Sequence, residues 1–379
     1  MAKTLLIHSG ALGGRGGHRE VTLYNLGCLL AEAMGYEFGG VWSEAARGRD
    51  VYLLPLQTVV GMESASRLGI RSSADLFGGV VPFPFVATKA ITHGLVSADA
   101  AAPPGWVPAL ARRLRNVVLP GYTAFSRRDA RIAAGRLLRN GSVRVKEAGS
   151  DGGRGQGVVR SLAELEALLD AQEADGSSRL AAEGLVLERN LERVQTFSVG
   201  QFSVGEITAS YCGVQSWTRD NRGERAYGGS TLTVVRGGFE RLLALGARRA
   251  PPDVVRAAVA YHSAALDCFP GSWVSRSNYD VALGEAPECG RLLGVLEQSW
   301  RAGGASGAEI LALDAFRRSP ARQVATVATR ERYGAVALPA HARLLFEGED
   351  REQGVMAKYA ILLADAVDEA DGMADDGSA

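Results

Sequence analysis

Lys146 closes a short β-branched run, Val143–Arg144–Val145–Lys146, and glycines follow at 149, 152, 153, 155 and 157 before Val158 and Val159 resume the run. A turn with so little side chain costs chain entropy, about 0.5–1 kcal/mol per glycine by analogy with regular structure, so bare backbone has a use there. Consecutive open N–H groups make a concavity suited to anions, phosphate above all, and the neighbouring lysine adds a mobile cation. A flexible hairpin tip is the competing reading of the same residues. No G-x-x-x-x-G-K-[ST] occurs, so the turn is not a Walker loop.

A second chemical pair stands far along the chain: Asp280 in "NYDVAL" and Glu297 in "VLEQSWRAGG". If these two strand-like segments pair as a hairpin, both carboxylates face one pocket. Like charges held together call for a divalent cation, and magnesium takes one or two carboxylates plus substrate phosphate oxygens. Ion pairing of either acid with Arg276 or Arg301 is the plainer alternative. Around them, Arg236 in "VVRGG", Arg276, Asn278 and the glycines Gly303 and Gly304 of "GGAS" are candidates for holding a substrate carboxylate. Each also reads as structure, an ion pair or a tight turn.

The elements that must position these groups follow from periodicity and punctuation. "TLLIH" (4–8) is a buried strand, and a helix from about Glu20 to Met34 ends at Gly35, a C-cap glycine. The intervening glycine loop does not fit G-x-G-x-x-G, so a tight turn or substrate-facing loop is expected rather than a dinucleotide site. "VYLLP" (51–55) is a strand and 58–69 a helix; "VVPFPFVATKAITH" (80–93) is a Pro-broken crossover. Ser126 caps a helix running toward Gly141, Ser161 and Glu164 form a capping-box pattern, and "GLVLERNLE" (184–192) is a strand entering a turn. Residues 196–215 alternate as hairpin strands, 218–230 is a polar loop, and Pro251–Pro252 opens a helix to about Asp267. Strands are expected over 277–284 and 292–300, and a helix over 306–318. Trp217, Trp273 and Trp300 read as core, and His93 as a buried core histidine.

The chain has 379 residues, 47 of them glycine, with Lys plus Arg and Asp plus Glu both at 42, so no charge excess points to nucleic acid. No apolar run approaches the roughly 18 residues of a membrane helix, and the N-terminus lacks a signal-peptide pattern; a cytoplasmic location is expected. Cys28, Cys212, Cys268 and Cys289 show no C-x-x-C spacing, which argues for isolated thiols and against a zinc knuckle.

Taken in order, "VKEAGSDGGRGQGVV", "LVLERNLE", Asp280 and "VLEQSWRAGGAS" resemble the ATP-grasp superfamily, whose two α+β lobes clamp ATP between them. "VPFPFVATKAITH", "GGSTLTVVRGG" and "VLEQSWRAGGASGAE" are similar more specifically to a bacterial family described as domain of unknown function 3182, from about residue 4 to about 350. The resemblance implies an α/β (α+β) protein: an N-terminal Rossmann-like pre-ATP-grasp domain (1–85), a small lobe with the glycine-rich loop (86–190) and a large lobe with the metal and substrate site (191–350); the last stretch (364–379), six acids with few bulky apolar residues, reads by composition as an acidic disordered tail. The resemblance also implies Lys89 and Lys146 as nucleotide lysines, and Gly152, Gly153, Arg154, Gly155, Gln156 and Gly157 as the phosphate-covering loop. Glu188 and the Leu187 backbone then fall at adenine, and Glu192 at ribose. Asp280 and Glu297 match the magnesium carboxylates, and Arg301, with Lys146, faces the transferred phosphoryl group. The usual E-x-N reads Glu297–Gln298–Ser299, a weaker third ligand. ATP and Mg2+ are the implied cofactors. The implied reaction is ligation of a small-molecule carboxylate to an amine or thiol acceptor, with phosphotransfer or non-catalytic nucleotide binding as rivals. No M-K-M biotinyl motif is present. Neither nucleic acid nor membrane is an expected partner, and a homodimer is the expected form of any self-association.

Overall fold

The computed structural model describes residues 3–10, 17–150, 155–174, 179–245 and 250–363. The expected acidic tail, 364–379, lies outside them. Its first unit is built on β1 (Thr4–His8), whose apolar run Leu5–Leu6–Ile7 is buried on both faces, as a central parallel strand must be. Helix α1 (His18–Met34) leads to β2 (Glu37–Val41), and β3 (Val51–Pro55) completes a parallel sheet in the order β2-β1-β3. Gly35 ends α1 in the left-handed region, φ 67°.

The helix expected over 58–69 is shorter. Val59 and Val60 form strand β4, Gly61 turns the chain at φ 84°, and α2 covers only Met62–Arg67. Two consecutive β-branched residues beside a glycine favour extension over helix. Strand β5 (Gly79–Val81) runs parallel to β4. The crossover at 80–93 resolves into 3-10 turns, Pro84–Ala87 and Lys89–Thr92, followed by α3 (Pro108–Leu114).

A four-stranded sheet comes next, from β6 (Gly121–Ala124), α4 (Arg127–Leu137), β7 (Val143–Glu147), β8 (Gln156–Val159), α5 (Leu162–Ala174), α6 (Leu180–Glu183) and β9 (Leu185–Arg189). Its order is β6-β9-β7-β8, every pairing antiparallel. The Ser126 hydroxyl caps α4 by accepting the Asp129 N–H at 3.1 Å, and α4 and α5 cover one face with Ala130, Ala133, Leu137, Leu165 and Leu169.

The rest of the chain forms an eight-stranded sheet from β10 (Glu192–Val204), β11 (Ile207–Arg219), β12 (Arg225–Arg236), β14 (Arg276–Ala286), β15 (Gly290–Ser299), β16 (Val324–Tyr333), β17 (Arg343–Asp350) and β18 (Gly354–Leu362). Its order is β15-β14-β10-β11-β12-β16-β18-β17. Strand β13 (Trp273–Val274) leaves it to pair with β5. Helices α7 (Phe239–Leu245), α8 (Pro252–Cys268) and α9 (Ser306–Arg318) pack against it. The period-2 alternation of β10 and β14 sorts the faces: Phe197, Val199, Tyr279 and Val281 share a core with α8, whereas Phe202 and Val204 join α9 and α1. Ser198, Asn278, Asp280 and Ala282 therefore point away from α8.

Two expectations change here. Most of the polar loop at 218–230 is strand, with the turn confined to Asp220–Glu224 and held by Gly223 N–H to Asp220 O at 2.9 Å. Trp217 is 45% exposed rather than core, with Arg225 stacked 4.0 Å from its ring centre; Trp300 is buried as expected. Among the described residues no helix is long and apolar enough to cross a membrane, and all four cysteines are free thiols.

Candidate functional site

A cavity of about 1090 Å³ opens between the four-stranded and eight-stranded sheets, lined by residues from both and from the start of α1. Lys146, on β7, and Glu188, on β9, sit at diagonal positions of one antiparallel ladder, since Lys146 pairs with Val186 and Arg144 with Glu188. Their side chains meet at 2.5 Å, both almost fully buried. The other Glu188 oxygen lies 3.1 Å from His93 Nε2. Burial pushes the Glu188 carboxyl up, but the Lys146 charge and the His93 contact outweigh it and hold the group at about 2. An ionised carboxylate only accepts, so His93 donates from Nε2. Glu188 thus stands in the cavity wall with its carboxylate committed to Lys146 and His93.

Leu187 does not reach the cavity. It lies mid-strand between β6 and β7 with its side chain fully buried, so its backbone serves the sheet. This corrects the expectation that it meets adenine: the lining at the exit of β9 includes Arg189, Leu191, Glu192 and Arg193, with the apolar Leu119, Ala282 and Leu296 also in the wall. Of the glycine turn, Gly152, Gly153 and Arg154 lie outside the described residues. Gly155, at φ 62°, returns the chain by offering its carbonyl to Glu147 N–H at 2.9 Å. Gln156 lines the cavity, and Gly157 pairs with Val145.

On the opposite wall, β14 and β15 pair in the register Asp280↔Glu297 and Asn278↔Ser299. Asp280 Oδ1 accepts from Gln215 Nε2 at 2.9 Å and from Asn278 Nδ2 at 2.8 Å. Burial and, after it, the Glu297 charge push the Asp280 carboxyl up to about 6. Glu297 Oε2 meets Lys89 Nζ at 2.9 Å, and the same ammonium donates to the Ser150 carbonyl where the glycine turn begins. Lys89 therefore ties the carboxylate pair to that turn. Tyr211 reaches Asn278 Oδ1 at 3.0 Å only because residue 200 is glycine: a Cβ there would lie 2.3 Å from the Tyr211 ring.

Two arginines expected at substrate are placed otherwise. Arg276 is fully buried, its Nη2 2.6 Å from Glu309 Oε1 and its Nε 2.9 Å from Oε2, while Nη1 donates to the carbonyls of Ser299 and Arg301. It fixes the backbone that presents Ser299 and Arg301 instead of offering donors to a ligand. Arg236 donates to the carbonyl of Phe316 in the last turn of α9, where a cation is favoured, and to that of Arg322 beyond the helix, and does not line the cavity. Asn278, Ser299, Arg301, Gly303 and Gly304 do line it. The sequence reading missed Gln215, Tyr211 and Glu309. Glu309 left a signal, an acid within the apolar run of "SGAEILALDAF", which demands a buried partner.

A comparison with the curated proteins returns no match. The sequence profile described as protein of unknown function DUF3182 matches residues 8–360. Among solved structures, N5-carboxyaminoimidazole synthetase from Staphylococcus aureus complexed with ADP is 11% identical, with TM-score 0.53 over 96% of this chain and 95% of that one. A biotin carboxylase–β-γ-ATP complex from Campylobacter jejuni is 12% identical, with TM-score 0.51 over 96% and 88%. Phosphoribosylamine–glycine ligase from Thermotoga maritima is 13% identical, with TM-score 0.50 over 94% and 91%. These neighbours share the ATP-grasp fold, and at such identities the likeness speaks for architecture.

Proposed function

The chain belongs to the DUF3182 family and has the ATP-grasp fold, and on that premise we propose that it is a magnesium-dependent ATP-grasp enzyme that joins a carboxylate to an amine, or to a thiol, through an acyl phosphate. The observation that carries this reading is the pairing of Asp280 with Glu297 on the floor of a cavity that Lys146 and Arg301 also line. The donor set fits a hard divalent cation: two carboxylates in adjacent register, the Ser299 hydroxyl beside them, and a buried Asp280 that burial first, and then the Glu297 charge, raise to about 6. Asp280 and Glu297 would hold the ion, which neutralises triphosphate charge. Lys146 and Lys89 would face the phosphates beneath the glycine turn, with Glu192 toward the ribose. Arg301 would meet the phosphoryl group as it moves to the substrate carboxylate. Gly303, Gly304 and Asn278 remain the proposed acceptor-side contacts. Two of the neighbouring structures are complexes, one with ADP and one with β-γ-ATP, which supports a nucleotide here.

The test is ADP release in a carboxylate and amine mixture, alongside calorimetry with an ATP analogue and Mg2+. Glu297→Gln is expected to keep the fold and lose turnover. Normal turnover by that variant would refute the metal assignment. Nucleotide binding without ADP release under any mixture would favour a non-catalytic binder, and a stable phosphorylated product a phosphotransferase.

A further inference from the structure

At the end of the cavity formed by α1 and the β17–β18 hairpin, a histidine and a carboxylate stand in an arrangement that the reading above does not use. His18 is the first residue of α1 and lines the cavity. Its Nδ1 lies 3.1 Å from Asp350 Oδ2, and its backbone N–H donates to the same oxygen at 2.9 Å. Asp350 is immobilised from its other side, Oδ1 accepting the N–H groups of Glu352 at 2.9 Å and Gln353 at 3.0 Å. Burial pushes this carboxyl up, but the backbone donors and His18 outweigh it and hold it far below the usual range, so it is an anion that only accepts.

Part of this is ordinary capping. Gly17 has no side chain to cap α1, and Asp350 supplies an oxygen from another element. Capping needs only the N–H of residue 18, whichever side chain it carries. The second contact, to the imidazole, fixes a tautomer: Nδ1 carries the proton and Nε2 keeps a lone pair. With Nδ1 engaged by Asp350, Nε2 is the ring nitrogen left with a lone pair, on a residue that lines the cavity. The helix that carries it shares a core with the loop leading into α9, Leu23 and Leu26 with Ala302 and Ala305, and that loop bears Arg301, Gly303 and Gly304. His18 thus lines the same cavity as Arg301, Gly303 and Gly304, the proposed acceptor-side contacts.

We propose that His18, oriented by Asp350, is the general base that takes the proton of the acceptor amine. This rests on the ligase reading. The amine nitrogen attacks the acyl carbon and the C–N bond forms. The acyl C–O bond to phosphate breaks with its electron pair leaving on the phosphate oxygen. The N–H proton passes to His18 Nε2 and from there to solvent. Burial first, and then Lys358, lower the imidazole below its ordinary value, against the opposing pull of Asp350 and Glu331, so the ring is neutral and able to accept at pH 7. Lys358 on β18 is itself paired with Glu331 on β16 at 3.0 Å.

The test uses the full chain with ATP, Mg2+ and a carboxylate mixture, offering either hydroxylamine, largely unprotonated at pH 7, or ammonia, α-amino acids and polyamines, which are protonated there. Iron(III)-hydroxamate colour reads the first and ADP release the second. His18→Asn keeps a donor for Asp350 but has no counterpart of Nε2. It is expected to retain hydroxamate formation while losing about 100-fold in amine-dependent ADP release, with the loss shrinking as pH rises. Imidazole should restore part of the loss in His18→Ala. Equal losses with both acceptors, no loss with either, or a wild type that uses hydroxylamine alone would overturn the base role and leave the ligase reading standing. Absence of hydroxamate from the wild type would overturn both. Nitrogen-15 NMR of the resting protein checks the tautomer without substrate, and a proton on Nε2 refutes the proposal.

Discussion

Replacing Lys146 by methionine removes the cation that keeps Glu188 ionised inside the small sheet, and the structure sets the cost. Glu188 is held at about 2 against an ordinary value of 4.5, which corresponds to about 3 kcal/mol of stability. Because the folded-state value is depressed, that stability is complete above about pH 4.5 and is lost as pH falls through about 2. Without Lys146 the dominant opposing effect, burial, is met at hydrogen-bond distance by His93, and breaking a buried pair from one side typically costs about 3–5 kcal/mol. Part of the cost is avoided if Glu188 takes up a proton, so the loss should be smaller at pH 5 than at pH 8. The double variant Lys146→Met, Glu188→Gln removes both charges and should recover most of the loss, because a neutral amide can still meet His93. Thermal and urea unfolding of the three variants across pH 5–8 gives the cycle. If the double variant is no more stable than Lys146→Met, or if the single loss does not depend on pH, the ion pair is not what stabilises this sheet.

Three further outcomes follow from the opposite wall. Asp280 is raised from 3.8 to about 6, so its ionisation weighs against the fold as pH climbs through that window, by about 3 kcal/mol at neutrality. Asp280→Asn should therefore raise the melting temperature at pH 7.5 in metal-free buffer, but not at pH 4. Lys89→Met removes the ammonium that competes with a cation for Glu297, so manganese titration without nucleotide should tighten by about tenfold, while affinity for an ATP analogue falls. Glu309→Gln strips Arg276 of its partner in a fully buried site; a loss of about 3–5 kcal/mol in urea unfolding is expected, and an unchanged midpoint would contradict it.

The parts of this molecule that were legible in its sequence are those whose information is local. Helix α9 spans the residues its periodicity predicts, and α8 opens at the proline that marks it, because a first-turn proline and amphipathic spacing act within a few residues. The β14–β15 hairpin was readable for the same reason, and its short connection carried Asp280 to Glu297. Strands β16, β17 and β18 were not assigned, since "TRERY" places charge on the cavity face and "RLLFEGED" places it along an edge strand, where alternation no longer looks apolar. The arginines show the deeper obstacle. Arg236, Arg276 and Arg301 sit in similar glycine- or serine-flanked contexts, yet the first two are consumed by carbonyls and by Glu309, whereas Arg301 lines the cavity and donates to the neighbouring Ala302 carbonyl. A guanidinium satisfies a carboxylate in the protein as readily as one in a substrate, so its neighbours in space decide its role. For Arg276 that neighbour is 33 residues away, on a helix whose one misplaced acid already announced that something cationic had to be buried beside it.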